Sequence, residues 1–213
     1  MSSSFAPLAK QMSVMQYHAL QTDPITSNEV FESEVSALRS FGFDFPKADV
    51  DRLRQFVPEK SQLFLVVPPQ PDTLDLANLM GRVKLKGLFG ESELEPQYLV
   101  NTFDVPTTSH LLLDVDDGRK RLNKNALDSF KDIKTANRIP YSTWHGIIHA
   151  MLFPCVLEQY SVILVGSQYN YSDTKSVPYI YRDTHGIPRL AYLYPQSHGV
   201  TCGTPSARSM VGM

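Results

Sequence analysis

Cysteine is nearly absent from this 213-residue chain, which has only Cys155 and Cys202. A secreted domain that depended on covalent cross-links would carry more, so the count fits a reducing compartment, with one disulfide left open. Long apolar runs are missing too. No stretch approaches the roughly 20 residues needed to cross a bilayer, and the opening MSSSFAPLAKQMSVMQ has neither the early positive charge nor the unbroken apolar core of a signal peptide. The cytoplasm is the expected compartment and no membrane partner is expected. The chain also lacks an excess of either charge. Its 20 basic and 22 acidic side chains leave a net charge of -2, which argues against a polyanionic partner such as nucleic acid. No internal repeat and no low-complexity tract is found.

What is present describes an ordinary folded domain. At 42% hydrophobic residues the chain can bury a sizeable core. Residues 1–25 read as a flexible N-terminal arm. Residues 26–213 read as a single α+β domain, with a mostly antiparallel sheet and helices packed on one face. Thr26 and Glu29 have the spacing of a capping box ahead of Phe31, Val35 and Leu38. Val50, Leu53 and Val57 mark a second short helix. SQLFLVVPPQP is a strand stopped by proline, Asp75 to Met80 is one or two helical turns, and Val83 to Leu88 is open between states. ESELEP and NTFDVPTTS read as surface connections.

The segment from His110 to Arg208 carries the clearest pattern. HLLLDVDDG is an apolar strand that ends in turn residues, and Ala126 to Ala136 has helical character. Trp144, Ile147, Ile148, Met151 and Leu152 fall at helical spacing before Pro154. YSVILVG is continuously apolar and should be a central strand buried on both faces. VPYIY and PRLAYLY form a hairpin around Asp183 to Gly186, with Gly186 supplying a positive φ.

This run resembles an uncharacterised, mainly actinobacterial family, domain of unknown function 5701. The matching positions are Leu112, Asp114, Val115, Gly118 and Asn123, then Arg138, Pro140, Gly146, Pro154 and Leu157, and further on Gly166, Ser167, Val177, Pro178, Pro188, Leu190, Pro195 and Arg208. The resemblance implies a bacterial origin, a fold and a compartment, and no activity. Where the family carries tryptophans this chain has Tyr181, Tyr192, Tyr194 and His198, and Gln196 stands in place of a histidine.

Four constellations bear on function, and each has a plain structural reading. His145 and His149, at i and i+4, are placed to share a metal. No third ligand is indicated, so they are expected to be histidines at the edge of the apolar stripe. Asp114 and Asp116 end a strand as the carboxylates of magnesium-dependent phosphotransferases do, but Asp117 stands where threonine or valine would follow, and a strand-ending turn is the favoured reading. Cys202 follows His198 in a loop of small residues, where an imidazole would activate a thiolate, although most such cysteines are inert thiols. Tyr179, Tyr181, Tyr192 and Tyr194, with Arg189, suit a recognition surface. With a four-residue loop, Tyr179 and Tyr181 would share a face with Leu190 and Tyr192. The expectation is a non-catalytic module binding a protein or small molecule through this hairpin, without a cofactor. A hydrolase or phosphotransferase using Cys202 with His198, or Asp114 with Asp116, is the rival.

Overall fold

The first ordered turn forms where the sequence places it. In the computed structural model, which describes residues 26–59, 62–171, 175–197 and 201–213, the Thr26 hydroxyl accepts from the Glu29 N–H at 3.3 Å and the Glu29 carboxylate accepts from the Thr26 N–H at 2.8 Å. This reciprocal cap satisfies two otherwise orphaned donors. The arm expected over residues 1–25 lies outside the described residues.

The elements follow in order. They are α1 (Ser27–Ser40), α2 (Lys47–Arg54), β1 (Phe64–Val67), α3 (Leu76–Met80), β2 (Lys84–Leu85), β3 (Leu88–Phe89), β4 (Glu91–Ser92), β5 (Leu99–Asn101) and β6 (His110–Leu113). Then come α4 (Ala126–Thr135), β7 (Ile139–Pro140), α5 (Thr143–Leu152), β8 (Ser161–Ile163), β9 (Ser167–Tyr169), β10 (Val177–Arg182), β11 (Pro188–Leu193), β12 (Cys202–Gly203), β13 (Ser206–Ala207) and β14 (Ser209–Val211). All pairings are antiparallel except β11 with β4 and β12 with β8. The fold is therefore α+β with mostly antiparallel sheets.

Two sheets organise the molecule, one ordered β1-β6-β14 and the other β12-β8-β10-β11-β4. The apolar run YSVILVG provides β8, which lies between β10 and β12 as its unbroken hydrophobicity predicts, with Ile163 and Val165 buried. Its side chains divide between two cores. Val162 and Leu164 join Ile180, Leu190 and α5 in the main cluster, while Ile163 and Val165 join Val177, Cys202 and α4 in a smaller one. The α+β layout is as expected, but α4 adds cover on the face opposite α5 where helices on one face were anticipated, because the continuously apolar β8 presents hydrophobic side chains to both sides. Gly146 lets α5 approach closely, since a Cβ there would stand 2.2 Å from Leu164 Cδ2.

Three local expectations change. Val83 to Leu88 is part of a tight hairpin whose turn residues Lys86 and Gly87 have φ of 49° and 92°, the conformation a type I′ turn requires. ESELEP and NTFDVPTTS contribute structure rather than plain connection: Glu91 and Ser92 pair with β11, Asn101 pairs with Ser167, and Leu94 is buried. Helix α5 is buried around its whole circumference instead of along one stripe, with all ten residues inside. Its neighbours reach it from both sheets and from α1, which no periodicity within the helix can report.

Candidate functional site

The burial of α5 relocates its histidines. His145 is 0% exposed and His149 3%, so neither is a boundary residue. His145 pairs instead with His110 of β6, their Nε2 atoms 3.1 Å apart. The remaining contacts fix the protons. His110 Nδ1 lies 2.9 Å from the Thr108 carbonyl and must donate, leaving its Nε2 an acceptor. His145 Nδ1 accepts the Ser142 N–H, so its Nε2 carries the proton that bridges to His110. Both rings are neutral, and burial holds both pKa values down. A metal on His145 Nε2 would force a proton onto Nδ1, against the Ser142 donor. The Tyr141 ring packs against both His145 and His149, at 5.8 and 5.7 Å between centroids. Among the described residues no group of three or more His, Cys, Asp or Glu side chains is placed to hold a metal.

A carboxyl group shares this interior. Glu34 of α1 accepts the Val66 N–H at 2.8 Å, occupying a donor of edge strand β1. Burial raises its pKa to about 8, against the lowering effect of that bond. It is therefore mostly protonated at neutral pH. Burial likewise pushes the His149 pKa down to about 4.

Asp114 and Asp116 stand where the strand ends, as anticipated, and both are engaged by arginine. Asp114 adopts a left-handed φ of 48°. Its carboxylate meets Arg138 at 2.9 Å, and Arg138 also binds its carbonyl. Asp116 accepts the Gly118 N–H at 3.0 Å and the Arg121 guanidinium at 3.0 Å, in a pair whose side chains are 3% and 8% exposed. These bonds join the turn to the Thr204–Ser206 segment, because Arg121 also reaches Thr204 O and Ser206 Oγ. The adjoining cleft of about 310 Å³, lined in part by Gln62, Asp117 and Lys120, presents carboxylates already committed to structure.

Cys202 lies in β12 paired with Ser161 and is buried. Burial raises its pKa, so the neutral thiol is favoured at neutral pH and nucleophilic attack is disfavoured. Its proposed partner His198 lies outside the described residues.

The tyrosine hairpin is present with a different register. Its loop runs from Asp183 to Ile187, five residues rather than four, tied by the Asp183 side chain accepting from the His185 and Ile187 N–H groups at 2.9 Å each. Tyr179 therefore faces Ala191 and Tyr181 faces Arg189, whereas Tyr192 faces Pro178. A one-residue shift moves every side chain to the other face. Tyr179 and Tyr181 stack on each other at 4.9 Å on the α4 side, and burial pushes the Tyr179 phenol up to about 12. Arg189 is held by Asp183 and Glu91. The grouping of Tyr181, Tyr192 and Arg189 on one face does not exist.

Tyr192 joins a different set. It stacks on buried Tyr169 at 5.1 Å; Tyr169 stacks on Tyr171 at 6.1 Å with planes 3° apart; and Tyr98 meets Tyr169 and Tyr171 edge-on at 6.0 and 5.1 Å. Tyr171 is 57% exposed and Tyr192 41%, with Tyr194 at 55% one residue beyond β11. The alternating Tyr169 and Tyr171 could have flagged part of this shelf. Tyr98 had no local signal, since the β5–β9 pairing brings it there. Glu95 borders the shelf: its N–H donates to Tyr169 Oη at 3.3 Å, and its charge helps raise the Tyr169 pKa, after burial.

No family model matches the chain, and neither the curated proteins nor the solved structures include one similar to it at a significant level.

Proposed function

We propose that this chain is a non-catalytic binding module whose recognition surface is the tyrosine shelf of Tyr98, Tyr171 and Tyr192 on the buried floor of Tyr169. The observation that carries this reading is the stacking of exposed rings on a ring that is itself 2% exposed. Such a surface is pre-organised. Tyrosine offers large contact area with few torsions to freeze, and its hydroxyl keeps the free surface wetted. The groups that would serve catalysis are placed differently: the His145 proton is given to His110 and the His110 proton to the Thr108 carbonyl, Asp116 is in a buried ion pair, and the Cys202 thiol is buried.

The test is cross-linking capture of partners in the source cell by wild type, Tyr171→Ala and Tyr192→Ala, beside melting curves. Loss of specific capture at an unchanged melting temperature supports the reading. Unchanged capture in both variants overturns it.

A further inference from the structure

The charge beside the shelf names a partner class, and this step rests on the binding reading above. The ESELEP segment runs along β11 and then past Tyr169, with the Glu93 N–H donating to the Leu190 carbonyl and the Glu95 N–H to Tyr169 Oη. Of its three carboxylates, Glu91 is neutralised by Arg189, while Glu93 and Glu95 form no ion pair among the described residues. Glu95 accepts one bond, from Gln97 at 2.6 Å to Oε2. An exposed carboxylate without an ion pair among the described residues therefore stands at the Tyr169 end of the shelf, near enough for its charge to act on the Tyr169 phenol, and tyrosine faces carry the negative end of the aromatic quadrupole. Lys175, four positions after Tyr171, is exposed and forms no ion pair among the described residues.

We infer that the shelf docks a basic, extended segment of a partner protein, with an arginine or lysine side chain laid over Tyr171 or Tyr192 and its charge directed to Glu95. Carboxylate and ring act together, since a cation over a tyrosine face within about 6 Å is attracted electrostatically. The ring spacings of 6.1 and 5.1 Å each match about two residues of extended chain at about 3.3 Å per residue. The same carboxylate repels phosphate, so a single-stranded nucleic acid, which also stacks on aromatics, is disfavoured here.

The experiment titrates the full chain, with 13C-labelled tyrosine rings, against three probes. They are a synthetic peptide of alternating arginine and glycine, the same peptide with glutamate for arginine, and a short single-stranded DNA. The arginine peptide is expected to give saturable shifts at Tyr98, Tyr171 and Tyr192, and the other two none. Tyr171→Ala should weaken binding by roughly threefold to fivefold, the value of one exposed cation–ring contact. Glu95→Gln should weaken it at low salt with a smaller change at high salt, as screening removes the difference. Equal shifts from the glutamate peptide or the DNA, or no effect of Glu95→Gln, would overturn the inference. If partner capture depends on Tyr171 but not on Glu95, the basic-segment inference falls and the binding reading stands. Capture indifferent to Tyr171 and Tyr192 removes both.

Discussion

The interior around α5 and the shelf beside β9 use similar residues to opposite ends. In the interior, His110, His145, Tyr141 and Glu34 are enclosed, and two of them exchange their hydrogen-bonding capacity with each other. At the shelf, Tyr171 and Tyr192 stack on Tyr169 and remain exposed, while the half-buried Tyr98 meets Tyr169 and Tyr171 edge-on. Chemical type is therefore a poor guide to role. A histidine or tyrosine is available to a partner only where its polar end is not already consumed.

The contrast breaks most readily at its buried side. Trp144 is 0% exposed, lies edge-on to Phe43 at 5.8 Å and donates to the Pro68 carbonyl. Trp144→Ala is expected to cost about 3–5 kcal/mol. In a domain of this size each kcal/mol is about 2–4 °C, so circular dichroism should show a large fall in melting temperature. A drop of only a degree or two would mean that α5 is not the centre of the core.

Arg121→Ala tests whether the Asp116 turn is structural. Removing one member of a buried pair leaves an uncompensated charge, and the expected loss is about 3–5 kcal/mol in urea unfolding. A neutral outcome would free Asp116 for chemistry and revive the phosphotransferase reading.

Titration sharpens the comparison further. His110, His145 and His149 have folded pKa values below the ordinary value, so the unfolded chain binds more protons in acid, and stability is lost as pH falls below about 6.5. Glu34 acts with the opposite sign. Its folded pKa near 8 lies above the unfolded value of 4.5, so its contribution is complete below 4.5 and declines as pH rises to about 8. The slope is on the order of 1.4 kcal/mol per pH unit where the difference is a full proton. Between pH 6.5 and 8 the wild type should lose stability while Glu34→Gln stays nearly flat. Parallel profiles for the two proteins would show that Glu34 is not buried as a neutral acid.

At the exposed side the effect should be smallest. Tyr171→Ala is expected to change stability by less than about 1 kcal/mol, as for surface positions outside the core. A loss of 3 kcal/mol or more by the same unfolding measurement would place the shelf among the packed interior groups and remove the contrast.

Much of the fold was legible because it is written locally. The Thr26 cap, the apolar run of β8, the turn after β6 and the Gly186 loop each depend on residues a few positions apart. The candidate site was legible only in part. Tyr192 and Tyr194 were identified as surface tyrosines, but the five-residue loop set a register that parted Tyr192 from Tyr181, and Tyr98, in the short turn before β5, reaches Tyr169 across 71 positions of chain.

Composition and periodicity by themselves determined an α+β chain without a helix long and apolar enough to cross a membrane among the described residues, since those follow from how many apolar groups there are and how they repeat. Tertiary structure alone decided which polar groups face one another. His110 meets His145 across 35 positions and Glu34 meets Val66 across 32. Hydrogen bonding and desolvation depend on distance in space, and the intervals that create them carry no period in the sequence.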